Sequence, residues 1–103
     1  MGHSTMVSPD LMNVETMSVL RRLEAGGMLT RARAAHALVD LERAPLRRVP
    51  TAALLRPAWA LRSNVSSYDA CYVALAQQLG CPLVTADLRL VRGAGGTVPI
   101  VAV

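Results

Sequence analysis

Residues 66–87, Ser66-Ser67-Tyr68-Asp69-Ala70-Cys71-Tyr72-Val73-Ala74-Leu75-Ala76-Gln77-Gln78-Leu79-Gly80-Cys81-Pro82-Leu83-Val84-Thr85-Ala86-Asp87, encode a helix, a stop and a strand in succession. Ser66 is a good N-cap ahead of an apolar-rich run, and Gly80 is the residue best suited to end one, so the spacing predicts a helix over 67–79. The apolar run 82–85 then reads as a strand, Ala86-Asp87 as the start of a short helical turn ending near Gly93, and 98–103 as a last strand reached through Gly95-Gly96. Working back toward the N-terminus, 3–8 is a short strand that ends at Pro9-Asp10. Leu11, Val14, Met17, Leu20 and Leu23 recur with helical period over 10–25, and Gly26-Gly27 stops that helix. Thr30 caps a helix over 31–43 that Pro45 ends, and 46–49 is a second short strand before a turn at Pro50. A third helix, interrupted or started by Pro57, spans 51–62 and carries Trp59. Short strands alternating with helices indicate an α/β domain with a parallel sheet flanked by helices.

The chain has 103 residues, 52% of them hydrophobic, which suits one domain over 1–103 with a single layered core. No apolar run approaches the ~20 residues that cross a bilayer, and the opening segment has neither a basic nor an apolar leader region. The expectation is a cytoplasmic protein without membrane attachment. The formal net charge is +4, and every basic residue is an arginine, the side chain best shaped for bidentate contact with phosphate. Cys71 and Cys81 have no nearby His or third Cys to make a zinc site, so both read as reduced, buried thiols.

Three carboxylates stand out by position. Glu15 lies in the first helix among Met12, Val14, Met17 and Val19; on its own it reads equally as part of a solvated face. Asp69, three residues after Ser66, has the spacing of a capping box and favourable charge for the helix dipole. Asp87 follows a strand end, where it can cap a turn but also where ligands of open parallel sheets bind. Together, an early helix, a helix start and a strand end can converge on one sheet edge to form an oxygen-only site. Clustered carboxylates repel unless a cation sits among them, and Mg²⁺ or Mn²⁺ suits such ligands. A metal of that kind acidifies water and stabilises charge on a phosphodiester under attack. Thr85 is placed to orient a carboxylate through its hydroxyl.

The stretch 64–76 with its Tyr68-Asp69-Ala70 and Tyr72-Val73-Ala74-Leu75-Ala76 runs, followed by Leu83-Val84-Thr85-Ala86-Asp87, resembles the C-terminal half of PIN-domain toxins of the VapC family. Pro9 to Glu15 with Leu20-Arg21-Arg22-Leu23 resembles that family's second-strand and helix segment. The resemblance implies a PIN-like three-layer fold and an acidic cluster of Glu15, Asp69 and Asp87 that binds Mg²⁺ or Mn²⁺ for endonucleolytic cleavage of RNA. It also implies a small cognate antitoxin and a homodimer. One departure is plain: the family's first strand, with a further aspartate, and the helix after it, about 30 residues in all, have no counterpart here. The rival expectation is therefore an inactive remnant that binds an antitoxin or dimerises. Arg21, Arg22, Arg62 and Arg89 are candidate contacts for RNA phosphates, as are Arg47, Arg48 and Arg92, each otherwise an ordinary solvated cation. Tyr68 and Tyr72, one turn apart, suit base stacking or partner packing, with at least one in the core. His36 falls on an apolar helix face and is not expected to act as a base, and Met12, Met17 and Met28 read as core or interface filler.

Overall fold

Thr30 and Ser66 each end an extended segment and start a helix. Both have extended backbone, and each side-chain oxygen accepts the N–H three residues on, from Arg33 to Thr30 Oγ1 at 3.1 Å and from Asp69 to Ser66 Oγ at 3.2 Å. One otherwise orphaned donor of each first turn is thereby satisfied. The computed structural model describes residues 6–80 and the backbone of two further strands at 83–85 and 100–102. By its internal contacts the chain divides into two units, Met1–Arg48 and Val49–Val103.

In the first unit, strand β1 (Met6–Pro9) leads into helix α1 (Leu11–Ala25), helix α2 (Arg31–Arg43) follows, and β2 (Leu46–Val49) closes a two-stranded sheet with β1. Gly27, at φ +78°, makes the turn out of α1 that a residue with a Cβ makes only under strain. The two helices pack on one another. Arg48 joins these pieces: its Nε donates to Asn13 Oδ1 of α1 at 2.7 Å, and its Nη2 donates to the Leu41 carbonyl of α2. A half-buried guanidinium committed in this way is part of the scaffold, and the reading of Arg48 as a free phosphate contact gives way to it.

The helical period in α1 marks an apolar face, yet no α1 residue is buried, and Val14, Met17 and Val19 are exposed. Met17 and Met28 are exposed, so of the core or interface roles expected of them the core one does not hold. His36 likewise faces solvent, beside Arg33 and Asp40, because α2 buries only Ala34.

The second unit holds the core. A 3₁₀ turn over Thr51–Leu54, helix α3 (Leu55–Trp59) and helix α4 (Ser67–Leu79) pack together around Leu54, Ala58, Leu61 and the buried run of α4 from Ala70 to Ala76. Alanines at 58, 70, 74 and 76 let these elements approach closely, while Leu54 and Val73 fill the centre and are fully buried. Only Tyr72 interrupts the buried run of α4, and it is half-buried, so of the two tyrosines it is the one that packs inward. Cys71 is a buried free thiol as expected; Cys81 lies outside the described residues. Gly80 closes α4 at φ +65°, its N–H reaching the carbonyls of Ala76 and Gln77.

The expected third helix over 51–62 proves to be three pieces: the 3₁₀ turn, α3 of five residues, and a chain of turns through Arg62. Pro57 is the reason for the break point. Its missing N–H is tolerated only in a first turn, so α3 begins two residues before it. Beyond α4, β3 (Leu83–Thr85) and β4 (Ile100–Ala102) run parallel, with Leu83 opposite Ile100, Val84 opposite Val101 and Thr85 opposite Ala102. The expected helical turn over 87–93 lies outside the described residues.

Candidate active site

Asp69 is set by the start of α4. Ser66 takes the Asp69 backbone N–H, so the capping function that the spacing suggested for the pair is carried out by the serine hydroxyl and the aspartate main chain. Among the described residues the Asp69 carboxylate itself makes no hydrogen bond or ion pair. It is half-buried in the first turn, where the partial positive charge of the helix end favours an anion. The sequence left a structural and a chemical role open for Asp69. The hydrogen bond of the cap uses the Asp69 main chain, and the carboxylate takes no part in it.

Glu15 lies in the second turn of α1, half-buried, and belongs to the first unit, whereas Asp69 belongs to the second. Asp87 lies outside the described residues, two positions after the end of β3 in the sequence. Thr85 is the last residue of β3, at the parallel pair with Ala102. The structure thus places Glu15 and Asp69 on separate elements. Among the described residues no three of His, Cys, Asp or Glu gather to hold a metal ion. The donor chemistry of the three carboxylates is nonetheless that of a hard cation: oxygen ligands only, with neither thiol nor imidazole among them.

The candidate arginines divide. Arg21 and Arg22 are exposed on α1, with Arg22 in its last turn. Arg89 lies outside the described residues. Arg62 is exposed but held, its guanidinium 4.6 Å from the centre of the Trp59 ring and its Nη1 donating to the Trp59 carbonyl at 3.1 Å. That stack follows from local geometry, since the Arg62 N–H also bonds the Trp59 carbonyl at 3.1 Å, and such i to i+3 turns bring side chains three apart into register. Reading the sequence for charge alone missed this pairing; the Trp-x-x-Arg spacing at 59–62 was the signal for it.

Comparison with known proteins adds the remaining finding. The PIN domain family matches residues 1–96. A VapC ribonuclease of Mycobacterium bovis and ribonuclease VapC9 of Mycobacterium tuberculosis are each 43% identical over 95 residues, covering 92% of this chain and 75% of theirs. Ribonuclease VapC3 of Mycobacterium tuberculosis is 36% identical over 92 residues, covering 89% of this chain and 67% of its own.

Proposed function

The chain belongs to the VapC family of PIN-domain proteins, and on that premise we propose that it is a metal-dependent endoribonuclease, the toxin of a toxin–antitoxin pair. The observation that carries the site assignment is the Asp69 carboxylate, fixed in place by a capped helix start and engaged by no described side chain. Relatives named as ribonucleases across nine-tenths of this chain support the reaction class.

Glu15, Asp69 and Asp87 would hold Mg²⁺ or Mn²⁺. When bound, such an ion supplies Lewis acidity and positive charge to a phosphodiester attacked by water. Three carboxylates leave coordination positions to water, which fits the way Mg²⁺ is usually held. The protein's own contribution is placement. The cap at Ser66 fixes the α4 turn that bears Asp69, and Thr85, two residues before Asp87 in the sequence, would support a carboxylate. Arg21, Arg22, Arg62 and Arg89 contact RNA phosphates and fix the strand without reading its sequence. Hydrolysis would proceed by direct attack of water on the phosphodiester, with no covalent enzyme intermediate.

A small cognate antitoxin, a homodimer and a cytoplasmic setting complete the proposal. No helix among the described residues is long and apolar enough to cross a membrane. The test is incubation of RNA with the purified, folded chain in Mn²⁺ or Mg²⁺ and in EDTA. Cleavage with either ion and none in EDTA is expected. A folded chain that leaves RNA intact with both ions would instead support a partner-binding protein without catalysis.

A further inference from the structure

Trp59 is 67% exposed, an unusual position for the largest apolar side chain, and it does not stand alone. Arg62 covers one face of the indole at 4.6 Å and is pinned by its bond to the Trp59 carbonyl. The ring is therefore pre-ordered, with its other face open, and the remaining guanidinium N–H groups are free to donate outward. Arg56 is exposed three residues before Trp59 in the chain, as Arg62 is three residues after it. The sequence of this unit is one-sided in charge up to Asp69: from Val49 to Tyr68 it contains Arg56 and Arg62 and no acidic residue.

An open groove lined by Ala58, Trp59, Arg62, Ser67, Ala70 and Cys71 leads from this stack to the first turn of α4. That turn carries Asp69, and Tyr68 in the same turn is 64% exposed. An exposed aromatic ring with one arginine stacked on it and a second nearby in the chain fits a nucleotide in both its parts, a flat base and a phosphate. An apolar protein helix laid over the same surface would strip water from Arg56 and Arg62 and offer them no counter-charge.

We propose that Trp59, braced by Arg62, is a stacking platform for one base of single-stranded RNA, with Arg56 and Arg62 contacting the adjacent phosphates and the groove receiving the strand beside the start of α4. The identity of the strand as substrate rests on the ribonuclease reading; the binding platform does not. Stacking tolerates any base, so the platform positions the strand and contributes little sequence preference.

Trp59 is the single tryptophan of the chain, so its emission reports on this surface alone. The experiment is titration with a short oligouridylate in EDTA, where metal-dependent cleavage is silent, beside an abasic oligomer of the same length. Quenching by oligouridylate but not by the abasic strand is expected. With a fluorescently labelled oligouridylate, Trp59→Leu should weaken binding by roughly tenfold or more and Trp59→Tyr should restore most of it. Arg62→Gln should lower the steepness of the log affinity against log salt plot by about 0.7. Thermal melts of the variants confirm that the fold is kept.

Quenching by an RNA that the chain fails to cleave in Mn²⁺ upholds the platform while removing the ribonuclease reading. Cleavage in Mn²⁺ with an emission indifferent to RNA overturns the platform and leaves that reading intact. An emission that shifts to the blue with protein concentration and ignores RNA also overturns it, assigning the surface to a second copy of the chain.

Discussion

Asp69→Asn is expected to reduce metal-dependent RNA cleavage by at least about a hundredfold while the chain stays folded, since even changes to residues that only orient a metal's ligands cost about 10–100-fold. The two halves of this expectation come from different atoms of one residue. The backbone N–H of Asp69 bonds Ser66 Oγ at 3.2 Å, and an asparagine keeps that N–H. What the substitution removes is a negative charge near a helix N-terminus, worth about 0.3–1 kcal/mol. For a domain of this size that lowers the melting temperature by a few degrees. Asparagine retains one oxygen of similar position but not the anionic donor that a divalent cation requires at a carboxylate site. Loss of activity together with loss of the cooperative melt would mean that Asp69 is structural. Full activity in the variant would remove Asp69 from the site.

Among truncations to alanine at the described residues of the second unit, Leu54→Ala should have the largest effect on stability. Leu54 is fully buried at the end of the 3₁₀ turn, among elements that pack on α3 and α4. Its truncation removes both the transfer energy of the side chain and the packing around the space it leaves, about 2–5 kcal/mol. Small domains have only about 5–15 kcal/mol in total. The melting temperature should therefore fall by at least about 10 °C, or the cooperative transition should vanish. The next residue is the control. Leu55 is 63% exposed, and Leu55→Ala should change stability by no more than about 0.5 kcal/mol. Equal effects at the two positions would contradict the packing described for this unit.

The helices at 31–43 and 67–79 were legible to the residue because their ends are decided locally. Thr30, Ser66 and Gly80 act through hydrogen bonds and backbone angles within a few positions of themselves, and the structure shows each doing so. The segment 51–62 was harder for a related reason. Helical propensity and a 3₁₀ turn share most of their sequence signals, and only the placement of Pro57 within a first turn discriminates between one helix and three shorter pieces.

Exposure was less legible still. The period of Leu11, Val14, Met17, Leu20 and Leu23 marks a face, but whether a face is covered depends on partners distant in sequence, and α1 has no buried residue. The candidate site shows the same division. Asp69 could be singled out from its own cap, whereas the relation of Glu15 to Asp69 is a matter of tertiary arrangement that no local pattern encodes. Arg48 and Arg62 looked alike as charges. One is tied to Asn13 and Leu41 as scaffold, and the other is stacked on Trp59 at the surface.

The proposed hold of carboxylates including Asp69 on a divalent cation is tested most directly by calorimetric titration of Mn²⁺ into the folded chain and into Asp69→Asn. The titration requires neither the right RNA nor an active preparation. Saturable Mn²⁺ binding to the native chain is expected, displaced by Mg²⁺ and weakened at least about tenfold in the variant. A folded chain that binds no Mn²⁺, or that binds it equally well without the Asp69 carboxylate, would contradict it.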